Sequence, residues 1–159
     1  MLGFVLALLT LPASVTQELN ASFPGWRLAP VVSETQRWFV ESGRPYDPNQ
    51  LQADFDGDST PDWALQILHQ GRQKVVVLLA RNGAWKSQTL TSDRPDPYTF
   101  LLLYKKGSRD FDFEKLKAFR YNTDALGIMY FVQTPVTFFW RNGNFAKMLA
   151  PSDEDYETR

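Results

Sequence analysis

Four carboxylates alternate through the segment Asp54-Phe55-Asp56-Gly57-Asp58-Ser59-Thr60-Pro61-Asp62, at loop positions 1, 3, 5 and 9. Acids at that spacing suit a hard cation. Calcium takes about six to eight oxygen ligands at 2.3–2.6 Å, and a loop folding round the ion turns alternate side chains inward. Asp54, Asp56, Asp58 and Asp62 would each offer a carboxylate oxygen, and Thr60 its backbone carbonyl, with water completing the shell. Gly57 permits the sharp bend that converging acids require. Without an ion the four like charges repel, so the loop is expected to stay loose until a cation neutralises it. The site would then switch on the folding of the strand that begins at Asp62. The competing reading is an acidic surface turn.

The loop departs from an EF-hand at two points. Ser59 occupies position 6, where glycine is usual, and Leu65 occupies position 12 in place of a bidentate glutamate. No helical pattern follows; the next residues alternate as a strand. The nonapeptide resembles the calcium loop of FG-GAP repeats, the units of the integrin α-propeller, with the pattern D-x-D/N-G-D-G-x-x-D and an apolar strand after it. In that family the matching acids bind calcium between strands, and the resemblance implicates Asp54, Asp56, Asp58 and Asp62 here. Ser59 replaces a family glycine, and a left-handed backbone at serine costs about 1 kcal/mol. A propeller needs at least about four blades of roughly 40–60 residues, so this chain is too short to be one. The layout of one such loop followed by hairpins ending in FFWRNGNF is also similar to small exported bacterial proteins of unknown function, a likeness that carries no activity.

Other chemistries are poorly supplied. With 0 Cys the chain has no disulfide, thiolate metal site or cysteine nucleophile. Its 1 His, His69, falls in register with Trp63, Leu65 and Ile67, as a strand-end histidine packed on their face would. Carboxylate pairs for glycoside hydrolysis could be drawn from Glu34, Glu41, Asp93, Asp96 or Glu114, but no spacing selects a pair. Nucleophile-elbow, P-loop and dinucleotide fingerprints are missing. The aromatics Tyr130, Phe131, Phe138, Phe139 and Trp140 would either line a ligand groove or form cross-strand core pairs.

The elements that must position the loop follow from patterning. Lys+Arg 17 against Asp+Glu 18 gives a net charge of −1, which argues against nucleic-acid binding. Residues 2–11 (LGFVLALLTL) form an uncharged apolar run of signal-peptide length, too short to span a bilayer, with small residues at Ala13 and Ser14. No Lys or Arg precedes it, and a buried N-terminal helix is the competing reading. Residues 16–30 are expected to be irregular. Ser33 reads as the N-cap of a short helix to Glu41 that buries Trp38 and Phe39, and residues 43–61 read as loop. Strands are expected at Trp63–Leu68, Lys74–Ala80, Ala84–Leu90, Tyr98–Tyr104, Leu126–Val132, Val136–Trp140 and Phe145–Leu149. Asn82-Gly83 and Asn142-Gly143 are hairpin turns, because both central residues of a type I′ turn need positive φ. They sit in a faint echo, Arg81-Asn82-Gly83-x-Trp85 and Arg141-Asn142-Gly143-x-Phe145, which either marks two related units or reflects convergence of hairpins on Asn-Gly. Residues 105–120 mix both charges and read as a solvated stretch.

The expected fold is α+β, mainly antiparallel β, with six or seven strands in hairpins and a short N-terminal helix. A signal peptide over residues 1–15 precedes one β-rich domain at 16–152, which holds the calcium loop at 54–62, and an acidic tail closes the chain at 153–159. The expected function is that of an exported, non-enzymatic protein, periplasmic or extracellular, with one structural Ca2+ and a protein or glycan partner. No nucleic acid and no stable membrane insertion are expected. The alternatives are a secreted hydrolase or hydrolase inhibitor using the aromatic face, and an intracellular β protein with an ordinary acidic turn.

Overall fold

A computed structural model describes residues 10–131 and 133–149. The expected leader through residue 9, Val132 and the acidic tail at 153–159 lie outside the described residues. The elements run α1 (Ala13–Ser22), β1 (Arg27–Leu28), α2 (Ser33–Glu41), β2 (Gln50–Ala53), β3 (Asp62–His69), β4 (Arg72–Arg81), β5 (Ala84–Asp93), β6 (Phe100–Tyr104), β7 (Arg109–Asp112), β8 (Lys117–Arg120), β9 (Ala125–Met129), β10 (Val136–Arg141) and β11 (Asn144–Leu149). The architecture is mainly antiparallel β with two helices, and it has more strands than the six or seven expected. Among the described residues no helix is long and apolar enough to cross a membrane.

A first sheet runs β1-β3-β4-β5, with β2 also on β3. The two short strands share one edge of β3: β2 pairs with Asp62–Leu65 and β1 with Ile67 and Leu68. A second sheet runs β11-β10-β9-β6, and β7 pairs with β8 as a separate hairpin. The period-2 alternation of β4 explains the stacking. Val75, Val77 and Leu79 face a core shared with Leu101, Leu126, Ile128, Val136 and Phe138 of the second sheet. Val76 and Leu78 face the opposite way, with Trp63, Leu65 and Ile67 of β3, onto Val15, Leu19 and Phe23. The apolar run at 75–79 therefore has cover on both faces, from the second sheet on one side and α1 on the other. Each fully buried side chain of this size stabilises the fold by about 1.5–3 kcal/mol before entropy is counted.

Three segments differ from the sequence expectation. Residues 16–30 are irregular only in part: residues 16–22 continue α1, because Val15 and Leu19, one turn apart, bury their side chains and hold it against the first sheet, and Arg27–Leu28 forms β1. Within 43–61, Gln50–Ala53 forms β2, with Leu51 and Ala53 alternating into the core. Within 105–120 the mixed charges belong to the β7–β8 hairpin, whose register runs Arg109 to Arg120 and Asp112 to Lys117. In α2, Ser33 is the first helical residue and its hydroxyl bonds Glu34, so Val32 takes the cap position without a side-chain bond. Phe39 is buried against Tyr46 and Phe100. Trp38 is 42% exposed, lying on the outer side of Phe100 under the Arg44 guanidinium.

Candidate metal centre

Two hydrophobic and polar anchors hold the loop between β2 and β3. Phe55 inserts into the core shared by the two sheets. Asp62, the first residue of β3, is fully buried; its Oδ2 accepts the Phe55 N–H at 2.9 Å and its Oδ1 the Ala80 N–H at 2.9 Å. The start of the loop is bolted to the second sheet. Asp54 N–H donates to Asp124 Oδ2 at 3.2 Å, and Asp124 N–H donates to the Asp54 carbonyl at 3.1 Å. Asp124 also accepts from the Lys106 N–H and pairs with Lys105 at 2.8 Å. Burial pushes its carboxyl up, but Lys105 and those backbone donors together hold it below the ordinary value.

Inside the loop the acids satisfy nearby backbone donors. Asp54 accepts the N–H groups of Gly57 and Ser59, Asp56 that of Asp58, and Asp58 that of Thr60. Gly57 and Ser59 both have positive φ, +80° and +69°. Ser59 thus adopts the left-handed conformation for which the family pattern uses glycine. Gly57 has a second constraint, since an added Cβ would lie 2.9 Å from Thr123 Cγ2.

Asp54, Asp56 and Asp58 converge, each with a carboxylate oxygen within 4.8 Å of the others. Oxygens bound to one calcium at about 2.3–2.6 Å can lie at most about 4.6–5.2 Å apart, so a single ion can touch all three. An all-oxygen donor set fits a hard divalent cation and not a soft one. Asp56 Oδ2 is buried and has no hydrogen bond of good geometry among the described residues; it meets the Arg81 guanidinium at 2.7 Å. Arg81 also lies 3.9 Å from Asp58 and sits over the Trp140 ring of the second sheet. Three carboxylates against this one guanidinium leave two negative charges, a match for a divalent ion. Burial raises the Asp56 carboxyl above its ordinary value, opposed by the Asp58 N–H and Arg81 and helped by the neighbouring acids. Burial likewise raises Asp62 to about 6 against its two backbone donors.

Of the four acids expected at the site, Asp54, Asp56 and Asp58 come together. Asp62 lies outside the trio with both oxygens on backbone donors, and Thr60 sits exposed on the rim with its N–H on Asp58. The sequence assigns neither Arg81 nor Asp124 to the site; Arg81 figures there only in the Asn-Gly echo, and the hint for Asp124 is that it stands at the head of an apolar strand, as Asp62 does.

The other sequence candidates are dispersed. His69 is buried edge-on against Phe23, with Nδ1 3.1 Å from Lys74 Nζ. Asp93 and Asp96 line one small polar cavity with Gln66, Gln73 and Tyr130, but its volume of about 10 Å³ holds roughly one water and no substrate. Of the aromatic run, Phe138 is core, Phe131 is 75% exposed, and Phe139 and Trp140 line a cleft. No known protein family, curated protein or solved structure matches this chain.

Proposed function

We propose that the chain is an exported, non-enzymatic binding module, periplasmic or extracellular, in which the loop at 54–62 takes one Ca2+ in the manner of an FG-GAP loop. The ion would be structural. It would neutralise Asp54, Asp56 and Asp58 and fasten the β2–β3 connection to both sheets. The observation that carries this reading is the convergence of the three carboxylates with a buried Asp56 oxygen that, among the described residues, only Arg81 meets. Calcium is favoured over magnesium because the loop offers several carboxylates to one ion, whereas magnesium retains more of its water.

The test is thermal unfolding in EDTA, then in millimolar calcium or magnesium, beside an Asp54→Asn/Asp58→Asn variant. A ligand at 100 times its dissociation constant adds about 2.7 kcal/mol, a rise of several degrees. A calcium-selective rise that the variant lacks supports the reading. An unchanged midpoint reduces the loop to an acidic turn.

A further inference from the structure

The β7–β8 hairpin and the end of β10 enclose an open cleft of about 320 Å³, lined by none of the residues of the acidic loop. That is within the range of small-molecule sites, about 300–1,000 Å³. Its lining carries four cations, Lys115, Lys117, Arg120 and Arg141, against the single carboxylate of Asp112. The chain as a whole has a net charge of −1, so this positive surplus is a local concentration. Asp112 is already paired with Lys115 at 2.9 Å. Lys117 and Arg141 make no ion pair among the described residues, and both are exposed.

Between the cations lies an aromatic floor of Phe119, Tyr121 and Phe139, while Trp140, next along β10, turns its ring to Phe145 and the core between the sheets. Phe139 stands 5.9 Å from Phe119 at 39° and 5.9 Å from Tyr121 at 59°, while Phe119 meets Tyr121 edge-on. The rings touch one another and leave no slot between parallel faces for a flat base. They present a single stepped surface. The Tyr121 hydroxyl is committed to Asp110, so this residue offers only its ring.

We propose that this cleft binds an acidic sugar unit, its C–H face laid on Phe139 and Phe119 and its carboxylate or sulfate held by Arg141 and Lys117. Aromatic rings bury the apolar face of the sugar, and charge-assisted bonds from the guanidinium fork select the anion. The assignment does not depend on an ion in the acidic loop.

Isothermal titration with a galacturonic acid trimer, a sulfated disaccharide, a neutral galactose trimer and ADP tests it, each run in EDTA and again in calcium. The expected result is binding of an acidic saccharide, carboxylated or sulfated, that weakens with salt and exceeds neutral-trimer binding. Which acid binds identifies the anion. Exposed Lys117→Ala/Arg141→Ala should retain the wild-type melting midpoint yet lose at least about tenfold in affinity. Equal binding of the neutral trimer, tighter binding of ADP, an unaffected double variant, or no saccharide binding in either buffer overturns it. A calcium-independent melting midpoint with intact saccharide binding would sink the metal reading and leave this one standing.

Discussion

Burial of Asp62 places opposing demands on one carboxylate. Its oxygens are needed as acceptors for Phe55 and Ala80, yet burial away from water disfavours its charge and raises it from 3.8 to about 6. Between those values the folded protein holds more protons than the unfolded chain, so stability falls as pH rises through that window. Asp56 shifts in the same direction. Asp112 and Asp124 are held below the ordinary value, so their contribution is present above 3.8 and is lost only at lower pH. Ion-free protein in EDTA should therefore melt at a higher temperature at pH 5 than at pH 7, and a midpoint that rises from pH 5 to pH 7 would contradict this assignment. The acids themselves were legible because their alternation is local. What Asp62 faces was not, since the Ala80 N–H arrives from a neighbouring strand.

At the scale of elements, the central strands carry the stability. Leu126 on β9 is fully buried in the core between the sheets, and Leu126→Ala should cost about 2–5 kcal/mol through lost burial and the cavity left behind. Phe131→Ala, at a largely exposed position, should fall within about 0.5 kcal/mol in the same denaturant titration. A Leu126→Ala cost as small as that of Phe131→Ala would disprove the shared core. The strands β3 and β4 and both Asn-Gly hairpins were legible from sequence. Their apolar runs are long, and Asn82 and Asn142 take the positive φ that the turn type demands. The helix α1 was not, since it shows only one buried residue per turn and lacks a capping side chain. Nor was the β7–β8 hairpin, whose turn puts Leu116 at positive φ without an Asn-Gly pair and whose strands carry charge in place of an apolar stripe. Asp62 opens β3 and Asp124 immediately precedes β9, in different sheets, and each accepts backbone N–H groups from the loop and from a neighbouring hairpin or turn. That parallel extends the echo seen around the two Asn-Gly turns, although the two hairpins lie in separate sheets.

Across the whole molecule, the acidic loop joins parts of the chain that are remote in sequence. Asp54 and Asp124 bond across a separation of 70 residues, and Arg81 reaches from the first sheet to Trp140 in the second. Contacts of such separation form only after a large loss of chain entropy, which places them late in folding. A stabilising contact absent from the transition state slows unfolding and leaves the folding rate nearly unchanged. Stopped-flow chevrons with and without calcium should thus differ in the unfolding limb and coincide in the folding limb; a shift confined to the folding limb would place loop closure early instead. An ion held at this junction would act as a brake on opening: it would lengthen the life of each folded molecule without hastening the birth of new ones.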